Sequence, residues 1–199
     1  MADKTLFGID FGSKLTGNTV IAIFQEPKVM FMDVDKGVDA DQFILNAADH
    51  FKPSHIFIDA PLSLPGVYTN IQGCENYHFR HADLDLKAMS PMFLGGLAAR
   101  AIQLKDKLES QGIAVFETYP RIMANRFGLP TRGYKGSIQG VKCCRSEVVG
   151  RFSNGIELNS RDITTWHHLD ALMALMSALN FDQGCAESFG NEDEGLIFI

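Results

Sequence analysis

"TLFGIDFGSK", residues 5–14, is the stretch on which the reading of the fold turns. Leu6, Phe7 and Ile9 suit a buried strand, yet Asp10 closes it, with Gly8 and Gly12 to either side. A carboxylate at the end of a core strand is either a turn residue opening a hairpin or part of a metal or phosphate site. In the second case Gly8 and Gly12 would give ions and a phosphate close access to the backbone. One short stretch does not separate the two readings.

Residues 4–11 (KTLFGIDF) read as a strand, followed by NTVIAIFQ (18–25) and KVMFMDV (28–34), with Glu26-Pro27 marking a tight turn. That spacing predicts an antiparallel meander. Residues 39–51 read as a helix started by Asp39 or Asp41, and HIFIDA (55–60) as a strand apolar enough for burial on both faces. Pro61 and Pro65 then break the chain, and residues 66–89 are expected to form an irregular functional flap. Residues 90–112 carry helix signals: Ser90 as cap, Pro91 in the first turn, Gly112 at the exit. IAVFET (113–118) is the fifth strand, with short helices expected at 121–127 and 143–151. DITTWHHLDALMALMSALN (162–180) reads as an amphipathic helix that Asp162 could cap. Between these lie a glycine-rich basic loop, 128–142, and an acidic tail, 182–199, expected to be a solvated end. The order β-β-β-α-β-α-β-α-α predicts one α/β domain spanning 1–199. Its five-stranded mixed sheet would have three antiparallel strands, then two parallel to strand one through right-handed crossovers.

Composition narrows the function. A hydrophobic share of 46% and a charged share of 21% are ordinary for a globular protein. Apolar runs are too short to span a bilayer, and MADKTLF lacks a signal-peptide core. Cys74, Cys143, Cys144 and Cys185 show neither metal-ligand spacing nor a disulfide framework, which points to a reducing, cytoplasmic setting. A net charge of −6 argues against a general nucleic-acid coat protein. From Thr118 to Ser146, however, there is no Asp or Glu, while Arg121, Arg126, Arg132, Lys135, Lys142 and Arg145 all fall there.

The acidic residues carry the chemistry. Asp10 ends strand one and Asp59 ends strand four, in IFIDAP. Ligands of open α/β sheets bind at the carboxyl ends of strands. If these two strands are neighbours, their ends lie roughly 5 Å apart, and the carboxylates repel unless a cation such as Mg²⁺ or Mn²⁺ sits between them. Asp170, on the edge of a helical stripe of Trp166, Leu169, Met173 and Met176, is a third candidate, with His167 on its side of the helix. Glu117, at the end of strand five, is a fourth. Each has a plainer reading. Asp10 and Asp59 suit turns or caps, Asp170 could pair with an arginine of the basic loop, His167 could be an interface histidine, and Glu117 could bind backbone or an arginine.

The ordered set of GIDFG, IDAPLSLP, ETYPRI and the helical HxxDAL resembles the ribonuclease-H-like superfamily. More narrowly it resembles domain-of-unknown-function family 429, described as nucleases of that fold. The family's Asp-x-Pro is matched by Asp59 to Pro61, its Glu-x-x-Pro by Glu117 to Pro120, and its Arg-x-x-Asp by Arg80 and Asp83. The cysteine usual before that aspartate is Ala82 here. The last helix is similar to those of RuvC-like resolvases, with His167 three residues before Asp170.

The resemblance implies a two-metal nuclease. Asp10 would bridge two Mg²⁺ (or Mn²⁺) ions, with Asp59, Asp170 and His167 completing the sites and Glu117 positioning water. Arg80, Arg121, Arg126, Arg132 and Lys135 would bind phosphates, and Tyr134 would stack on a base. Nucleic acid is then the expected partner; a homodimer stays open, since resolvase-like relatives dimerise. Two other readings stand beside it. One is a non-catalytic nucleic-acid or protein-binding module on the same fold. The other is an actin-like or sugar-kinase-like ATP-binding protein, suggested by DFGSKLTGNT as a phosphate loop, although that architecture needs two such domains.

Overall fold

The computed structural model describes residues 4–152 and 155–199. Seven described strands form one sheet: β1 (Thr5–Asp10), β2 (Val20–Gln25), β3 (Lys28–Asp33), β4 (His55–Asp59), β5 (Ala114–Thr118), β6 (Ser188–Asn191) and β7 (Gly195–Phe198). Their spatial order is β3-β2-β1-β4-β5-β7-β6. The meander β1-β2-β3 is antiparallel, and β4 and β5 run parallel to β1, as the sequence predicts.

The strand count is corrected from five to seven. The tail from 182 is not a solvated end: it folds into the hairpin β6–β7, and β7 joins β5 in parallel. The reason lies in GLIFI (195–199), an uncharged apolar run that follows the acidic cluster. Ile197 and Ile199 bury against the sheet's edge, while Glu192 and Asp193 stay exposed at the turn.

The helices are α1 (Ala40–Phe51), α2 (His81–Leu86), α3 (Pro91–Leu94), α4 (Gly96–Glu109), α5 (Pro120–Arg126), α6 (Ile138–Val149) and α7 (Trp166–Asp182). Strand alternation sends Phe7, Ile9, Ile21, Ile23, Ile56 and Ile58 to one face, where Ile44 of α1 and Leu104 and Leu108 of α4 cover them. Leu6, Val20, Ala22 and Phe57 point to the other face, beneath α5, α6 and α7. Each such buried aliphatic or aromatic side chain contributes about 1.5–3 kcal/mol.

Several boundaries differ from expectation. Residues 66–89 hold a 3-10 turn, Gly66–Thr69, and α2. The helix expected over 90–112 breaks at Gly95, whose positive φ of 51° separates α3 from α4. The basic stretch 128–142 contains a 3-10 turn, Leu129–Arg132, and the start of α6, which begins at Ile138 rather than 143. Helix α7 is capped by the Thr165 hydroxyl, which accepts from the His168 N–H; Asp162 belongs to a separate 3-10 turn. From His168 to Leu179 every residue of α7 is buried, so it is not amphipathic. It is sandwiched between the sheet and α5 and α6.

Gly8 makes that sandwich possible. A Cβ on Gly8 would lie 2.0 Å from the Leu175 backbone nitrogen and 2.5 Å from the Ala171 carbonyl oxygen. The helix backbone thus rests directly on β1. The space at Gly8 is occupied by α7, not kept open for a phosphate.

Candidate metal centre

Asp10 and Asp59 are partners on the last rung of the β1–β4 ladder. Strand alternation puts both on the α7 face, in line with Leu6, Gly8 and Phe57. Because α7 is seated on Gly8, its first turns reach the ends of the two strands. One carboxylate oxygen each from Asp10, Asp59 and Asp170 lies within 4.8 Å of the other two. Asp170 is buried, the Asp10 side chain keeps 14% of its surface, and Asp59 is half-buried. Asp10 and Asp59 open into a cavity of about 300 Å³, also lined by Leu97, Tyr119, Arg121 and Lys135.

The electrostatic strain of this arrangement is visible in the acids. Burial, then the charges of Asp10 and Asp170, push Asp59 well above the usual carboxylate range. Burial and Asp10 push Asp170 up to about 6, against the opposing pull of Lys135. Lys135 Nζ sits 2.7 Å from Asp170 Oδ2, and the Tyr134 hydroxyl donates to Oδ1 at 2.5 Å. On the other side, His167 Nδ1 lies 2.6 Å from Asp10 Oδ2, a hydrogen bond that raises the imidazole's affinity for a proton. An all-oxygen donor set of three crowded carboxylates suits a hard divalent cation.

A family model described as a protein of unknown function, DUF429, matches residues 95–195. The chain belongs to the DUF429 family. The matched span holds Glu117, Arg121, Lys135, His167 and Asp170, whereas Asp10 and Asp59 precede it. No curated protein matches the chain.

The remaining expected site residues of this DUF429 protein fall in three places. Arg121 and Lys135 line the cavity, and Tyr134 contacts Asp170 beside it. Arg126 pairs with Glu187 and Arg132 with Glu147 on the surface, and neither lines the cavity. Arg80 is fully buried. Its guanidinium donates from Nη1 and Nη2 to both oxygens of Glu117 at 2.7 Å, and from Nε and Nη2 to Asp83. Burial alone would weaken its hold on the proton, but Glu117 and Asp83 outweigh that and keep it charged. The guanidinium is therefore a structural tie, closed to a phosphate. Glu117 pairs with Ile58 across the β4–β5 ladder and lines the cavity with Asp10 and Asp59, but its carboxylate is occupied by Arg80 and by the Leu62 N–H, which donates to it at 2.8 Å. The plain reading of Glu117, backbone and an arginine, describes its contacts.

Two contributors were not read from the sequence. Arg100 of α4 donates to the Gly12 carbonyl and pairs with Asp41, bracing the turn after β1 while it packs over Phe11. Tyr119 lines the cavity, and burial pushes its phenol up. No local motif marks Arg100, whose partners lie 59 and 88 residues away. Tyr119 sits inside ETYPRI and was legible as a neighbour of Glu117.

Proposed function

We propose that this DUF429 protein is a metal-dependent nuclease with a ribonuclease-H-like fold, hydrolysing phosphodiester bonds in DNA or RNA. The fold reading is supported by the first five strands, an antiparallel meander followed by two parallel strands, with the β6–β7 hairpin added at the edge. The observation that carries the function is the convergence of Asp10, Asp59 and Asp170 at the mouth of one cavity.

Asp10, Asp59 and Asp170 would hold Mg²⁺ or Mn²⁺. Such ions stabilise charge on a phosphate and make water nucleophilic near neutral pH. The protein's own groups have separable tasks. His167 is fixed by Asp10 through Nδ1, and its half-exposed ring is able to exchange a proton with solvent. Arg121 and Lys135 place positive charge on the cavity wall for phosphate oxygens. Tyr119, held in its protonated form, offers a hydroxyl donor to the same cavity. The Arg80–Glu117–Asp83 tie fixes the chain that follows β4.

The test is a panel of single strand, duplex, RNA–DNA hybrid and branched DNA, with Mg²⁺ or Mn²⁺. The wild type is expected to cleave at least one substrate, and Asp10→Asn, with an unchanged circular dichroism spectrum, none. Undiminished cleavage by Asp10→Asn sinks the assignment.

One observation favours a second reading, a non-catalytic binding module. Lys135 already places an ammonium on Asp170, the position a cation would otherwise neutralise. On that reading neither Mg²⁺ nor Mn²⁺ binds at the three aspartates, which calorimetric titration distinguishes.

A further inference from the structure

We propose that Cys74, His81 and Glu194 form a second metal site, selective for Zn²⁺ and independent of the three aspartates. Cys74 Sγ, His81 Nδ1 and a Glu194 oxygen lie within 4.8 Å of one another. They come from three separate segments: the loop after the 3-10 turn Gly66–Thr69, the first residue of α2, and the turn between β6 and β7.

Glu194 is prepared as a ligand. Its side chain is almost fully buried, and the Gly66 and His81 N–H groups donate to its two oxygens at 2.7 and 2.6 Å. These bonds fix the carboxylate's plane and leave lone pairs on both oxygens. His81 Nδ1 lies 2.8 Å from Oε2. Gly66 supplies the space. A Cβ there would stand 2.6 Å from Cys74 Sγ and 3.2 Å from Glu194 Oε1, filling the cradle between them.

The donor chemistry selects the ion. One sulfur, one imidazole nitrogen and one carboxylate oxygen suit Zn²⁺, whereas the all-oxygen aspartate cluster suits a hard cation. Two bonds of about 2.0 Å at a tetrahedral angle span about 3.3 Å. His81 therefore has to swing outward by about half an ångström, which its exposed side chain permits. The Cys74 thiol loses its proton to solvent as the ion binds, and water takes the fourth position. The bound ion clips the segment carrying Arg80 to the C-terminal hairpin.

The experiment uses the full chain with Cys143→Ser and Cys185→Ser, which removes the exposed thiols, stripped with EDTA and dialysed. Zn²⁺ is titrated against a chromophoric chelator, and Co²⁺ is added separately for its absorption spectrum. One Zn²⁺ per chain is expected, with a thiolate-to-cobalt charge-transfer band in the Co²⁺ form. Cys74→Ser or His81→Ala should weaken zinc binding by about 100-fold or more. A Co²⁺ spectrum without the thiolate band overturns the proposal on the parent protein alone, whether or not the variants fold. Zinc affinity unchanged in Cys74→Ser overturns it as well. Neither readout involves nucleic acid, so the result is independent of the nuclease reading.

Discussion

Neutralising Asp170 is expected to stabilise the metal-free protein at alkaline pH. Burial and Asp10 push this acid from 3.8 up to about 6. The native state thus binds the Asp170 proton more tightly than the unfolded chain does. Stability is lost as pH rises from about 4 through about 6, and the full cost stands above that. At pH 8 the cost amounts to about 3 kcal/mol. Asparagine keeps an oxygen for the Tyr134 hydroxyl, and it releases Lys135, whose side chain is 47% exposed, to solvent at little cost. Asp170→Asn should therefore raise the unfolding free energy by about 3 kcal/mol at pH 8, equivalent to about 6–12 °C in Tm. The gain should vanish near pH 4. Urea unfolding in EDTA at pH 4, 6 and 8 measures it. A gain of equal size at all three values, or a loss at pH 8, would refute the electrostatic account.

Two further substitutions probe the scaffold beneath the site. Gly8→Ala places a methyl against backbone atoms of Leu175 and Ala171 that no rotamer change can move. It should cost about 3 kcal/mol or more in urea unfolding and weaken Mn²⁺ binding as α7 carries Asp170 away; Mn²⁺ affinity equal to wild type would contradict that role for Gly8. Arg80→Met leaves Glu117 and Asp83 buried without their cation and should destabilise by about 3–5 kcal/mol at pH 7. A loss under 1 kcal/mol in the same assay would show that the tie is replaceable.

The meander and the two parallel strands were legible because alternation and apolar runs are local signals. The β6–β7 hairpin was not, since acidic residues from Asp182 to Glu194 dominate the composition before GLIFI supplies four residues of buriable surface. At the site, Asp10 and Asp59 were legible as strand ends, and Asp170 as the border of a helical stripe. The stripe itself was misread: a helix covered on both sides has no polar face to reveal which residue meets the sheet. The fate of the basic residues was not legible at all. Arg80, Arg121, Arg126 and Lys135 look alike in sequence, but they end in a buried tie, on the cavity wall, in a surface pair and on Asp170. Those outcomes depend on partners 35 to 61 residues away. The trio of Cys74, His81 and Glu194 escaped for the same reason, because its spacing exists only after the hairpin folds back.

The distribution of compensating groups around the three aspartates is uneven, and the unevenness has a direction. Asp10 has His167, and Asp170 has Lys135 and Tyr134. Among the described residues, no side chain hydrogen-bonds to the Asp59 carboxylate, although it feels both neighbouring charges and is pushed well above the usual carboxylate range. Asp59 also faces the cavity, where a cation has access. Glu117 stands in contrast: Arg80 meets it and Asp83 with five hydrogen bonds counting Ser63. The chain thus gives the Glu117 carboxylate a cationic partner and leaves Asp59 without a side-chain partner among the described residues. On the proposed reading, Asp59 is where a divalent ion would gain most, since it would replace a proton there rather than a protein cation, while the partners of Asp10 and Asp170 hold the other two carboxylates in place.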